Sequence, residues 1–315
     1  MSDNNYKFHG IWPVLNTPYK EDLTIDLDHY RNMIEWYIKK GVDGIYANCQ
    51  SSEMFLLNDE ERMTLVSEAV KVVAGRVPVA ATGNFGDTVE EHIKQAKKVE
   101  SAGPDVIMLT VPPFCANDDD LQAYYIEMAK HIESPLGLYE CPVPRSYHLG
   151  IELIEQLAKS GRFFIYKETS CDLEKIKEIL KVTSNTSLSL LQANIPFMLE
   201  AIKAGAPGSM NIAANWLPDL VVKVAKGNPD NVEIQELNKV LCSMEMVQRS
   251  INAIGIKYLL SKRGVTIRPL TRHNHTLSSE ARYSLDQMAS LWFKEDGNLK
   301  ILNGKEGVKE HLLNK

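Results

Sequence analysis

Lys167 lies in the run FFIYKETS, residues 163–170, where an ammonium group interrupts aromatic and β-branched residues. Such residues favour strands, and a strand buried on both faces strips a lysine of its hydration unless the amine gives up its proton. Burial therefore lowers the pKa from about 10.4, by up to several units, and leaves a nucleophile. A neutral amine in an enclosed site attacks a ketone to form a Schiff base, whose protonated nitrogen stabilises an enamine at the neighbouring carbon. Tyr139, near the end of the preceding apolar run PLGLYEC, supplies a hydroxyl able to move protons in those steps. The same position leaves a structural reading open, in which Lys167 snorkels to solvent at a rim or forms an ion pair with Glu53.

Other residue types suggest other chemistry. Glu140 and Glu168 invite a reading as the paired carboxylates of a glycoside hydrolase, but each directly follows an inward candidate, so the two-residue period of a strand turns both away. By that alternation Phe163, Ile165, Lys167 and Thr169 share one face, with Tyr166 and Glu168 opposite. The five cysteines, Cys49, Cys115, Cys141, Cys171 and Cys242, are widely spaced and odd in number, without a CxxC pair. That spacing indicates neither a disulfide framework nor a common zinc site. Cys49, Cys115, Cys141 and Cys171 are expected near one mouth, as neutral thiols filling space.

The elements that must position Lys167 and Tyr139 are legible along the chain. Strand-like runs recur at GIWPVLN (10–16), GIYANCQ (44–50), VPVAATG (77–83), VIMLTVP (106–112), PLGLYEC (135–141), FFIYKET (163–169), LSLLQAN (188–194) and GSMNIAA (208–214). Between them, stretches such as IDLDHYRNMIEWYIKK and VEEHIKQAKKVESA carry apolar residues at helical spacing. Gly41, Gly75, Gly103, Gly161 and Gly205 stand where helices should stop, and Asn58 with Glu61 and Thr88 with Glu91 have capping-box spacing. Eight βα units of roughly 20 to 35 residues predict a (β/α)8 TIM barrel, with an open doubly wound sheet as the competing architecture. The barrel is expected over 1–225, and 226–315 is expected to supply the last barrel helix and a helical C-terminal extension within the same structural unit. The closing stretch DGNLKILNGKEGVKEHLLNK is polar and is assigned no element.

In such a barrel, chemistry collects at the C-terminal strand ends. These are Asn16 and Thr17, Cys49 to Glu53, Gly83, Pro112 to Cys115, Tyr139, Lys167, Gln192 to Asn194, and Asn215. No histidine falls within the eight strand segments, and acidic residues there are sparse. The ligand clusters of metal-dependent hydrolases are therefore missing, and neither metal nor cofactor is expected.

Composition sets the outer bounds. The chain has 315 residues, 44% hydrophobic and 24% charged, with a formal net charge of -6. That balance gives no global reason to bind nucleic acid or an anionic membrane, so an anionic ligand needs a local site. No run approaches the roughly 18 apolar residues of a membrane span, and the polar start MSDNNYKFHG lacks a secretory layout, so a cytoplasmic protein is expected.

Read together, LNTP (15–18), GVDGIYANCQSSEMFLLN (41–58), VPVAATGNFGDT (77–88), GPDVIMLTVPPF (103–114), LYECP (138–142), IYKETS (165–170) and AGAPGSMNIAANWLP (204–218) carry a resemblance. With the Tyr139-to-Lys167 spacing, the chain resembles the dihydrodipicolinate synthase / N-acetylneuraminate lyase family of pyruvate-dependent class I aldolases, from GIWPVLNTPY to about Met288. The resemblance implies that Lys167 forms the Schiff base with a 2-oxo acid, usually pyruvate, and that Tyr139 transfers protons. It implies that backbone amides and a hydroxyl in the loop after strand two, here Ser51, hold the 2-oxo acid's carboxylate. Gln50, Ser51, Ser52, Met210 and Arg145 are the substrate-binding residues it suggests. It also implies a homotetramer, or a dimer at least.

The departures are specific. The family's Gly-Thr-Thr-Gly-Glu reads Cys49, Gln50, Ser51, Ser52, Glu53, so both glycines are lost and Gln50 replaces a relay hydroxyl. Cys115 takes the place of a tyrosine donated from a neighbouring subunit. Pro144 stands where an arginine receives the second substrate's carboxylate in dihydrodipicolinate formation, with Arg145 one position later. Ala193 replaces a glycine after strand seven. These changes argue against lysine biosynthesis more than against Schiff-base chemistry. The expected activity is a lyase that makes or breaks a carbon–carbon bond beside a 2-oxo acid. The alternatives are a 2-oxo-3-deoxy acid dehydratase or hydratase-aldolase, and a binding or sensor protein whose catalysis has decayed.

Overall fold

The computed structural model describes residues 6–300, apart from Asn274 and the side chain of Asn252. Residues 1–5 and 301–315, including most of the polar closing stretch, lie outside the described residues. Each of the eight apolar runs contains one strand: β1 (Gly10–Ile11), β2 (Ile45–Ala47), β3 (Val79–Thr82), β4 (Val106–Thr110), β5 (Leu136–Tyr139), β6 (Phe163–Glu168), β7 (Ser189–Gln192) and β8 (Gly208–Ser209). Neighbours are parallel, in the order β1-β8-β7-β6-β5-β4-β3-β2.

A parallel bridge between Val14 and Tyr46 closes the ring, with Leu15 N donating to Tyr46 O at 2.9 Å and Tyr46 N to Pro13 O at 3.0 Å. The result is the expected (β/α)8 barrel. Strand β1 is short because Pro13 has no N–H to give a ladder. Its pairing with β8 stops after the Trp12 amide reaches Ser209 O at 3.0 Å. Asn215 then holds the seam, accepting from Val14 N at 2.9 Å and donating to Val14 O at 2.6 Å and Asn16 Oδ1 at 3.1 Å.

Helices α1 (Leu27–Lys39), α2 (Asp59–Val73), α3 (Val89–Glu100), α4 (Asp118–His131), α5 (Ile151–Lys159), α6 (Leu173–Val182) and α7 (Ile195–Lys203) alternate with the strands. Asn58 and Glu61 make the full reciprocal capping box on α2. At α3 only half of one forms: Thr88 Oγ1 accepts from Glu91 N at 3.2 Å, but the Glu91 carboxylate turns to Asp87 N at 2.7 Å. After β8 come α8 (Ala213–Trp216) and α9 (Pro218–Lys226), so Ala213 and Ala214 are helical although the sequence places them in a strand run. The helix closing the eighth unit thus ends at residue 226. The two helices beyond it, α10 (Val232–Lys262) and α11 (Ser279–Trp292), are extension.

Three hydrophobic clusters, one inside the barrel and two outside the sheet, position the site. Phe8, Trp12, Tyr46, Val106, Met108, Ile165 and Leu191 fill the barrel interior. The axis there is tight: a Cβ on Gly137 would lie 2.2 Å from Met108 Sδ. Outside the sheet, Leu237, Leu241, Leu259 and Leu260 of α10 share a core with Ile11 and Ile45, which ties the extension to the barrel. Between β5 and β6 the register slips by one residue, Leu136 facing Phe163 and Gly137 facing Ile165. The slip corrects the simple alternation, because a bulge moves one residue out of phase. Phe163 packs outside with Tyr125 and Tyr166, while Phe164 approaches the inner cluster beside Phe8. Ile165 and Lys167 keep the inner face.

Candidate active site

Above the filled interior, the C-terminal strand ends open into a cavity of about 520 Å³. Lys167 of β6 lines it, flanked in register by Tyr139 of β5 and Leu191 of β7. Its side chain does not snorkel: the residue is only 5% exposed. Its Nζ sits 4.1 Å from the centre of the Tyr139 ring and 5.3 Å from that of Tyr46. No ion pair to Lys167 occurs among the described residues. Glu53, the partner considered from sequence, accepts instead from Lys257 Nζ at 2.8 Å and Arg272 N at 2.7 Å. Burial pulls the Lys167 amine down to about 8 from 10.5, with Cys49 and Cys141 opposing.

The Tyr139 hydroxyl donates to Gln50 Oε1 at 3.4 Å, and burial holds its pKa well above 10. An amide oxygen accepts that proton's hydrogen bond but has no acidic proton of its own to hand on. The loop after β2 forms a 3-10 turn over Gln50–Ser52. Cys49, where the family has glycine, is extended at φ −121°, and Ser52 is not among the residues with positive φ. Neither glycine is therefore required by the backbone. Glu53 does take the left-handed conformation, φ 61°, and the anchoring of its carboxylate by Lys257 and the Arg272 amide holds it there.

Gln50, Ser51, Asn16 and Met210 line the cavity with Lys167 and Tyr139, as do Thr169, Ala193 and Asn194. Two expected binding residues do not. Ser52 is buried, its hydroxyl donating to Cys49 O at 2.6 Å and accepting from Cys49 N at 2.7 Å, so the turn consumes it. Arg145 stacks on the Tyr147 ring, 4.8 Å away, and lies outside the lining.

The thiols also separate. Cys49 and Cys141 belong to the interior packing, Cys171 lines the cavity, and Cys115 faces the outer core with Sγ 3.7 Å from Asp120 O. Among the described residues no group of three or more His, Cys, Asp or Glu side chains is arranged to hold a metal. Glu140 and Glu168 turn away, as alternation requires. Glu140 accepts from Leu149 N at 2.9 Å, His148 Nδ1 at 3.0 Å and the Tyr166 hydroxyl, and Glu168 accepts from Ser170 N and Gln192 Nε2, both at 2.6 Å.

Sequence reasoning missed a whole wall. Glu245, Gln248 and Arg249 of α10, with His273 and His275 from the segment beyond it, line the same cavity as Lys167. The polar positions on one stretch of a long helix were the only signal, and they do not tell which strand ends that helix will cover.

A model of the dihydrodipicolinate synthetase family matches residues 7–291. The 4-hydroxy-tetrahydrodipicolinate synthase of Methanoculleus marisnigri is 28% identical over 218 residues, covering 68% of this chain and 74% of the relative. That of Staphylococcus saprophyticus is 24% identical over 294 residues, covering 92% and 98%. A crystal structure of an E. coli K12 prophage protein of the dihydrodipicolinic acid synthase family, in complex with pyruvate, matches with a TM-score of 0.83 at 21% identity, covering 90% of this chain and 98% of that one. At that identity the likeness supports the fold.

Proposed function

The chain belongs to the dihydrodipicolinate synthetase family, and on that premise we propose a class I lyase that forms a Schiff base between Lys167 and a 2-oxo acid and makes or breaks the adjacent carbon–carbon bond. The observation that carries this reading is a buried, unpaired lysine with pKa about 8, opening into a cavity beside a tyrosine hydroxyl. The neutral Nζ attacks the keto carbon, water leaves, and the iminium draws electrons from the next carbon to give an enamine. Tyr139 gives and takes the protons of carbinolamine formation and of the aldol hydroxyl. Ser51 and the amides of the Gln50–Ser51 turn hold the carboxylate without a basic side chain. Because Gln50 ends the hydrogen-bonded chain at an amide, protons exchange between Tyr139 and water or substrate in the cavity.

The relatives' named activity is not carried over, since Arg145 does not line the cavity to receive a second substrate's carboxylate. The same enamine would serve a dehydratase of 2-oxo-3-deoxy acids. Product analysis separates the two, because cleavage releases pyruvate and dehydration keeps the carbon chain. We also propose a homo-oligomer, supported by exposed apolar residues near the mouth loops, Phe114 at 40% and Val143 at 43%. Light scattering that gives a monomer at micromolar protein would refute that part.

The test of the chemistry is intact-protein mass after incubation with pyruvate and borohydride, with peptide mapping. One reduced adduct on Lys167 is expected. No adduct at saturating pyruvate, or full lyase activity in Lys167→Ala, overturns the assignment, and reversible binding without an adduct would indicate a silenced ligand-binding protein.

A further inference from the structure

We propose that Arg249 makes this site selective for 2-oxo acids that carry a second carboxylate at the end remote from the keto group. The proposal rests on the Schiff-base reading and names the substrate class it serves. Arg249 and Lys167 line one cavity, contributed by α10 and β6 respectively. The guanidinium is held on two sides. Its Nε lies 3.2 Å from Glu245 Oε1, and its Nη2 donates to Asn194 Oδ1 at 3.0 Å. The Cys171 thiol, a weak acceptor, interacts with it as well. Its Nη1 donates to no oxygen among the described residues, and about half of the side chain is exposed. A planar fork fixed in this way presents its remaining N–H groups in the geometry that a carboxylate accepts.

The charge balance favours an anion. Glu53 is occupied by Lys257 and the Arg272 amide. Glu245 is buried, which raises its pKa, and its other oxygen accepts from Gln248 Nε2 at 2.8 Å. It therefore positions Arg249 from the Nε side and leaves the Nη1 edge open. His273 and His275, stacked with ring centres 5.5 Å apart, line the same cavity and offer further ring nitrogens. One arginine in a cavity that also holds two imidazoles suits a carboxylate monoanion better than a phosphate dianion, which would draw on more cations.

The placement also fits. Asn194 Nδ2 reaches Thr169 O at 3.4 Å, and Thr169 is two residues beyond Lys167. Arg249 thus meets the barrel, through Asn194, just past the end of β6, where the backbone is two residues, roughly 7 Å, beyond that of Lys167. That leaves room for a short carbon chain between an iminium at Lys167 and a carboxylate at Arg249.

The experiment compares two six-carbon acids that differ only at the far end, 2-oxoadipate and 2-oxohexanoate. Each is titrated against the full-length protein, and the borohydride-trapped adduct is quantified by intact mass. The wild type should reach half-maximal trapping at about tenfold lower 2-oxoadipate than 2-oxohexanoate, with the ratio shrinking at high salt because Arg249 is half exposed. In Arg249→Met the ratio should fall to about one, while Arg249→Lys keeps part of it. A ratio within one preparation is independent of the active fraction. Equal trapping of both acids by the wild type overturns the proposal, as does an unchanged preference in Arg249→Met. Adducts with pyruvate but no preference sink the inference alone, whereas no adduct with any 2-oxo acid sinks the Schiff-base reading with it.

Discussion

Raising the pH through 8 should switch on the reactivity of Lys167. An amine of pKa about 8 is neutral in about one molecule in ten at pH 7, whereas one at 10.5 is neutral in roughly one in three thousand. The buried site therefore supplies about 300-fold more nucleophile at neutral pH than a surface lysine. The cause is desolvation: no carboxylate among the described residues pairs with Nζ, which lies over the rings of Tyr139 and Tyr46. Initial rates of adduct formation with subsaturating pyruvate, sampled into borohydride and read by intact mass from pH 6.5 to 10, report the neutral fraction. The rate should rise about tenfold between pH 7 and 9 and then level off. A rate still climbing tenfold per pH unit above pH 9 would show an ordinary lysine, and burial would not be what activates it.

The same displacement carries a stability cost. Below pH 8 the native state holds a buried charge, and between about 8 and 10.5 the unfolded chain binds a proton that the native state has lost, so stability rises with pH there. Lys167→Met should accordingly be more stable than wild type at pH 7, by at most about 3 kcal/mol, with the advantage shrinking above pH 8; urea unfolding that shows Lys167→Met less stable at pH 7 would contradict this. Glu53→Ala leaves Lys257, 0% exposed, without its carboxylate and should cost about 3–5 kcal/mol, a loss that a urea midpoint near the wild-type value would rule out. Glu140 accepts from His148, which raises the imidazole's pKa; burial works to raise the carboxyl, yet hydrogen bonds from His148 and Tyr166 hold it below its usual value. Their pairing should stabilise most fully between about pH 4.5 and 6.5, fading as pH rises through the His148 value or falls through that of Glu140. Titration of His148 by NMR should return toward 6.5 in Glu140→Gln, and an unchanged titration would refute the pairing.

Much of the frame is local and is legible in the sequence. The apolar runs, the helix stops at Gly41 and Gly103, where φ is +80° and +81°, and the Asn58–Glu61 capping box depend on residues a few positions apart. Lys167 stood out for the same reason, as a charge inside a strand pattern whose neighbours could not solvate it. Alternation likewise turned Glu140 and Glu168 away from the axis.

The features that stayed undecided in the sequence depend on contacts between distant segments. The slip between β5 and β6 removes Phe163 from the face of Lys167, because a period-two reading assumes an unbroken ladder. Ser52 and Arg145 match binding positions by alignment of motifs, yet the local turn consumes one and Tyr147 captures the other. Glu53 was a plausible partner for Lys167 until α10 brought Lys257 to it from 204 positions away. Arg249 reaches the site because α10 packs its leucines on the barrel's outer core, and His273 and His275 line it from the segment beyond that helix. Periodicity determined which elements form and which residue is chemically out of place. Tertiary packing decided which side chains surround it, since proximity across the barrel mouth is set by the summed burial of the whole chain rather than by any window of its sequence.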